Sequence, residues 1–193
     1  MNSKNKKIMQ KLIASCVNKL INSEILLYPT DTVWGIGCDA TNKIAVDKIY
    51  KLKKREESKS LIILVDSFEM LLNYVDEVPN EINKFLKNTT KPTTVIYNNP
   101  KNLPNSLIAK DNTIAIRIVN KGFAHKLIKQ FGKPIVSTSA NISGKKTPLS
   151  FNEISSVIKN KVDFVVDNLQ GKGCLKPSKI IKFVNGEIKI LRS

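Results

Sequence analysis

The sequence predicts an α/β fold built on a mixed sheet with flanking helices, and two observations carry that reading. Segments of strand character alternate with segments of helical periodicity along most of the chain, the pattern of a sheet covered by helices. The chain then ends in a hairpin, Lys179–Val184 and Glu187–Leu191 joined by Asn185-Gly186, which forces at least one antiparallel pair into the sheet.

In chain order, Ile8, Leu12, Ile13, Cys16, Val17, Leu20 and Ile21 fall on one face of an amphipathic helix. Glu24 to Tyr28 reads as a strand ending at Pro29, and the following PTDTVWGIGCDAT reads as a loop. Lys43 to Lys54 is helical, with Ile44, Val46, Ile49, Tyr50 and Leu52 as its apolar positions. Leu61 to Val65 is a buried strand, followed by short helices near Ser67–Val75 and Pro79–Lys87 and a strand from Thr93 to Tyr97. Thr113 to Val119 alternates, with Ile114, Ile116 and Ile118 on one face and Ala115, Arg117 and Val119 on the other. A helix over Phe123–Phe131 stops at Gly132, and Pro134-Ile135-Val136 is a strand running into the small polar run Ser137-Thr138-Ser139-Ala140-Asn141. Ser150 and Glu153 form an S-x-x-E box expected to open a helix carrying Ile154, Val157 and Ile158, and Asp163 to Val166 is a strand.

The chain of 193 residues is expected to form a single domain over 1–193, with no repeat, linker or additional C-terminal domain. Its apolar runs are too short to span a membrane, and its basic N-terminus lacks the cleavage site of a signal peptide. Three scattered cysteines without a CxxC pair fit a reducing compartment, so a cytoplasmic location is expected. The formal net charge of +16 would ordinarily point to nucleic acid, but lysine, asparagine and isoleucine are abundant throughout, as a low-GC coding bias produces without selection for binding. Arginine is more informative. Only Arg55, Arg117 and Arg192 occur among 32 basic residues, and positions that keep arginine against lysine are candidates for bidentate anion recognition.

Ligands in α/β folds sit at strand ends, and the unusual residues lie there. YPTDTVWGIG (Tyr28–Gly37) sets threonines beside glycines; KLKKREESK (Lys51–Lys59) ends a helix with a cationic group; TIAIR delivers Arg117; STSAN offers hydroxyls and an amide; Ser178 and Arg192 bracket the hairpin. Singly, each has an ordinary explanation as a turn, a cap or a solvated helix end.

Taken in order, P-T-x-T-V-W-G-I-G, K-x-R-x-x-x-K, A-I-R, S-T-S-A-N-x-S-G and S-x(13)-R resemble the YrdC-like family, the threonylcarbamoyl-AMP synthases, over about residues 8 to 192. The resemblance implies a twisted sheet enclosing a basic concave cavity. There ATP, brought with Mg²⁺, L-threonine and bicarbonate would give threonylcarbamoyl-AMP and pyrophosphate for the threonylcarbamoyladenosine of tRNA. It implies that Arg55 and Lys59, with Lys53 alongside, hold the triphosphate and stabilise charge. By the same resemblance Thr113, Asn141 and Arg192 would contact ATP, and Thr32, Arg117, Ser139 and Ser178 would contact threonine. Proteins of the tRNA-modification pathway would be its neighbours. Two departures stand out: Glu56 follows the motif arginine where the family often has proline, and Leu64 occupies a strand position where some members have histidine.

The chemistry agrees with the residues. A carbamate attacking the α-phosphorus of ATP requires positioning and cationic stabilisation rather than a side-chain nucleophile. The only histidine, His125, lies in a helix without a candidate partner, and Asp31 and Asp39 read as solvated loop acids rather than metal ligands. Arg117, projecting opposite a row of isoleucines, needs an anionic partner or water. Two other readings stand beside the synthase. One is an RNA-binding protein, weakened by an aromatic content of 6 %; any tRNA binding through diffuse lysine charge is expected to be weak and salt-sensitive. The other is a carbamoyl-transfer or regulatory homologue of the same fold.

Overall fold

The computed structural model describes residues 3–56, 61–166 and 176–193. Helix α1 (Ser3–Ile21) leads into β1 (Leu26–Pro29), β2 (Trp34–Gly37), α2 (Lys43–Lys53), β3 (Ile62–Val65), α3 (Phe68–Leu72), α4 (Asn80–Asn88) and β4 (Thr93–Asn98). A 3₁₀ turn (Asn105–Leu107) precedes β5 (Thr113–Ile118), α5 (Gly122–Phe131), β6 (Ile135–Ser139), α6 (Ser156–Lys159), β7 (Phe164–Val165), β8 (Lys179–Val184) and β9 (Glu187–Arg192). The strands form one mixed sheet in the order β7-β1-β2-β6-β3-β5-β4-β8-β9. Strand pairs β1/β7, β3/β5 and β4/β8 are parallel and the other neighbours antiparallel.

Alternation along the strands gives the sheet two different faces. Leu27, Ile36, Ile63, Val65, Val95, Ile116, Val136 and Ile181 point into the larger core, which they share with Ala45, Val46 and Ile49 of α2. On the opposite face Leu26, Tyr28, Leu64 and Ile135 pack under Ile13, Cys16 and Leu20 of α1 and Ala124, Leu127 and Ile128 of α5. Burying each such side chain contributes about 1.5–3 kcal/mol, which is why the two helices sit over the apolar part of that face. Beyond it the face turns polar, at Ser137, Ser139 and Arg117, and there the cleft lies.

Several elements differ from the sequence expectation. The loop predicted after Pro29 contains β2, a strand of sequence WGIG whose two glycines hide it, since glycine is a weak strand former. β2 survives because it is paired on both sides, to β1 and β6. Gly37 is there for space: a Cβ would stand 2.4 Å from the Val136 carbonyl oxygen and 2.7 Å from the Tyr28 ring. Strand β6 continues through Ser137-Thr138-Ser139, so the first hydroxyls of the polar run are sheet residues with fixed facings rather than turn residues. The Ser150 and Glu153 side chains do meet, at 3.1 Å, but they close a turn, and α6 begins only at Ser156. His125 is structural: its Nδ1 lies 2.7 Å from the Val119 carbonyl oxygen. The terminal hairpin has the expected turn, with Asn185 and Gly186 both at positive φ, 52° and 84°.

Candidate active site

A cleft of about 170 Å³ opens on the polar part of the second face. Its floor comes from neighbouring strands: Arg117 of β5, Ile62 and Leu64 of β3, Ser137 and Ser139 of β6, and Gly35 of β2. Register puts these on one face, because Leu64 pairs with Arg117, Ile62 with Ser137 and Gly35 with Ser139. At Gly35 a Cβ would meet Ser137 Oγ and Thr30 Cγ2, both at 3.2 Å, so glycine leaves room in the cleft wall.

The β1–β2 loop supplies Thr30 and Thr32 in a local hydroxyl turn. Thr30 Oγ1 accepts from the Thr32 backbone N–H at 3.0 Å, lies 2.9 Å from Thr32 Oγ1 and donates to the Val33 carbonyl at 2.6 Å. Arg55 reaches the cleft from the end of α2. There Lys54 is left-handed, φ 50°, with Lys54 N bonded to the Lys51 carbonyl and Arg55 N to the Tyr50 carbonyl; this double closure turns the chain toward the site. On the rim, Arg192 grips the Ser178 carbonyl with Nε and Nη2 at 3.0 and 2.8 Å, while Ser178 Oγ lies 2.8 Å from Thr94 Oγ1.

Of the residues singled out in the sequence, Thr32, Arg55, Arg117, Ser139, Ser178 and Arg192 converge on this cleft. Lys53 lies one layer behind, 1 % exposed, where its ammonium donates to the Ser139 carbonyl, the Asn141 carbonyl and Asn141 Oδ1. That uses all three donors on the STSAN segment, so its charge reaches the cleft only through space. Burial, and secondarily the charge of Arg55, pull the Lys53 pKa down to about 7. Asn141 is held in the same cluster, accepting from Ser139 Oγ and donating to the Lys145 carbonyl. Thr113 does not line the cleft: it starts β5, roughly 13 Å of strand from Arg117, and its hydroxyl donates to Asp111 at 2.7 Å. Lys59 lies outside the described residues.

Sequence reasoning missed Thr30 and Ser137 within motifs it had quoted, and Thr147, for which the sequence holds no signal. It also misjudged two acids. Asp39 is 4 % exposed and accepts from the Thr41 backbone and hydroxyl, both at 2.7 Å, so it is a buried turn residue. Asp31 is the anionic partner of Arg117: Nη1 donates to both carboxylate oxygens, at 2.6 and 2.7 Å. It also lines a wider neighbouring cleft of about 890 Å³ between the β3–α3 and α4–β4 connections and the end of β5.

A family model described as Sua5/YciO/YrdC, telomere recombination, matches residues 18–193. The chain belongs to that family. Among its relatives, the threonylcarbamoyl-AMP synthase of Pseudoalteromonas translucida (strain TAC 125) is 36 % identical over 182 residues, covering 93 % of this chain and 97 % of the relative. That of Enterobacter sp. (strain 638) is 32 % identical, covering 91 % and 93 %. The Sua5/YciO/YrdC architecture is matched by P. abyssi Sua5 complexed with L-threonine, with TM-score 0.86 and 28 % identity over 95 % of this chain, which spans about half (54 %) of that protein. E. coli YciO matches with TM-score 0.83 and 25 % identity, covering 95 % and 89 %. The mixed α/β sheet is thus the family's fold.

Proposed function

We propose that this chain is a threonylcarbamoyl-AMP synthase, making threonylcarbamoyl-AMP and pyrophosphate from ATP, L-threonine and bicarbonate for tRNA modification in the cytoplasm. The observation that carries the reading is convergence: residues from five motifs, scattered from Thr32 to Arg192, meet in one cleft. The relatives' names agree with it.

In this reaction the threonine nitrogen forms a bond to the bicarbonate carbon and water leaves. A carbamate oxygen then attacks the α-phosphorus as the bond to pyrophosphate breaks. Both partners are anions, so the protein's task is to hold them together against repulsion and to offset charge on the leaving pyrophosphate. Arg117 offers a fork for the amino-acid carboxylate, Thr32, Ser139 and Ser178 offer polar contacts beside it, and the wall of Ile62 and Leu64 suits a methyl group. Arg55, with Lys59 from the same motif, is assigned to the phosphates, and Arg192 to ATP. Lys53 fixes the STSAN strand end that carries Ser139. Magnesium would come with ATP, held by phosphate oxygens and water. The nearby Asp31 is engaged by Arg117.

The test is to incubate the protein with ATP, Mg²⁺, bicarbonate and each amino acid in turn. Pyrophosphate and a threonylcarbamoyl adenylate should appear only with threonine and bicarbonate, and serine, lacking a methyl worth about 1 kcal/mol, should be several-fold poorer. Equal release without threonine would overturn the reading. Release driven by another amino acid would favour the carbamoyl-transfer homologue. Retention of tRNA at high salt without ATP turnover would favour the RNA-binding protein.

A further inference from the structure

We infer that Asp31 is a positioning residue for amino-acid recognition: it pins one end of the Arg117 guanidinium and so presents the opposite edge to a substrate carboxylate. The inference rests on the proposed threonine site. Arg117 projects from the centre of the sheet with a side chain 4 % exposed, while Asp31 is 26 % exposed on the β1–β2 loop. Left alone there, a guanidinium would be a buried cation without a counter-charge. Asp31 supplies the charge in a particular way, because both of its oxygens accept from Nη1.

A guanidinium has two edges able to grip a carboxylate with parallel hydrogen bonds, Nη1–Nη2 and Nε–Nη2. Asp31 consumes Nη1 and leaves the Nε–Nη2 edge intact. Among the described residues Arg117 has no other hydrogen-bond partner, yet neither Nε nor Nη2 is a fully buried unsatisfied atom. Arg117 lines the cleft, and in this inference the Nε–Nη2 edge is the part of it offered to the ligand. Asp31 is itself held between Thr30 and Thr32, whose hydroxyls lie 2.9 Å apart, with Thr30 tied to the Val33 carbonyl at 2.6 Å. Loop, acid and arginine thus form one chain of contacts, and the loop that contributes Thr32 to the cleft also sets the orientation of the fork.

The experiment is Asp31→Asn, which keeps the shape but removes the charge and turns an amide toward Nη1. Threonine should bind at least tenfold more weakly by calorimetry, with a matching rise in threonine KM. The kcat at saturating threonine and the ATP KM should stay within about threefold of wild type, and Asp31→Glu should recover part of the loss. A threonine affinity equal to wild type would overturn the inference. So would a tighter one, which would make Asp31 a competitor of the substrate carboxylate, or a uniform fall in kcat and stability with affinity retained, which would make the pair a packing feature. Should Asp31→Asn fail to fold, Asp31→Glu decides: its added methylene displaces the fork, and an unchanged threonine KM sinks the idea. A wild-type protein without threonine-dependent pyrophosphate release removes the proposed function and this inference together, whereas an active wild type with an unaltered Asp31→Asn removes the inference alone.

Discussion

Replacing Arg117 with lysine separates charge from geometry at the amino-acid site. The residue is 3 % exposed, and Nη1 is committed to Asp31. A lysine ammonium keeps a positive charge beside Asp31, so the acid stays paired and the fold should persist. What lysine cannot supply is the Nε–Nη2 edge. Two charge-assisted hydrogen bonds to a carboxylate are lost, each worth about 1.5–3 kcal/mol, and part of that is recovered by the remaining point charge. A net loss of about 2–3 kcal/mol corresponds to a roughly 30- to 150-fold fall in kcat/KM for threonine, at about 1.4 kcal/mol per factor of ten. The assay is initial pyrophosphate release against threonine at saturating ATP and bicarbonate, repeated with ATP as the varied substrate, whose KM should move less than about threefold. Urea denaturation establishes that the variant is folded. A folded Arg117→Lys protein with threonine efficiency within threefold of wild type would show that the arginine serves only its ion pair with Asp31, and the placement of the amino acid would be wrong.

Lys53→Met should cost about 2–3 kcal/mol in urea denaturation, because the Ser139 and Asn141 carbonyls lose their ammonium donor while relief of the buried charge offsets part of the loss; a variant as stable as wild type would refute this. The same residue fixes a pH dependence. Its pKa is about 7 folded against 10.5 ordinarily, so between those values the unfolded chain binds the extra proton and stability from this group rises with pH. Unfolding free energies at pH 7 to 10 should show a steeper rise for wild type than for Lys53→Met, and parallel curves would contradict the assignment. Gly37→Ala should destabilise by about 2–3 kcal/mol through overpacking against the Val136 carbonyl and the Tyr28 ring. A change in unfolding free energy below about 0.5 kcal/mol would mean that β2 and β6 separate easily.

What the sequence determined by itself was whatever depends on near neighbours. Periodicity located α1, α2 and β5 because a helix or strand shows its buried face at fixed short spacings, and the apolar run Leu61–Val65 marked β3. Asn185-Gly186 announced its hairpin, and Gly132 its helix end, because both need positive φ. The scarcity of arginine marked Arg55, Arg117 and Arg192, which all reach the cleft. Other features were settled only by pairing across long stretches of chain. WGIG is weakened as a strand by its two glycines and is held as one because β1 and β6 bond to its two sides. Lys53 sits in a cationic run that reads as phosphate-binding, yet the fold turns it inward onto carbonyls 86 and 88 residues away. Asp31 looks like a solvated turn acid until strand β5 carries Arg117 beneath it, 86 residues along the chain. Thr113 and Arg117 share a strand face, but the cleft opens at only one end of it. Local propensity acts through a few bonds, whereas the partner of a buried charge is chosen by the sheet order, and that order exists only in the folded chain.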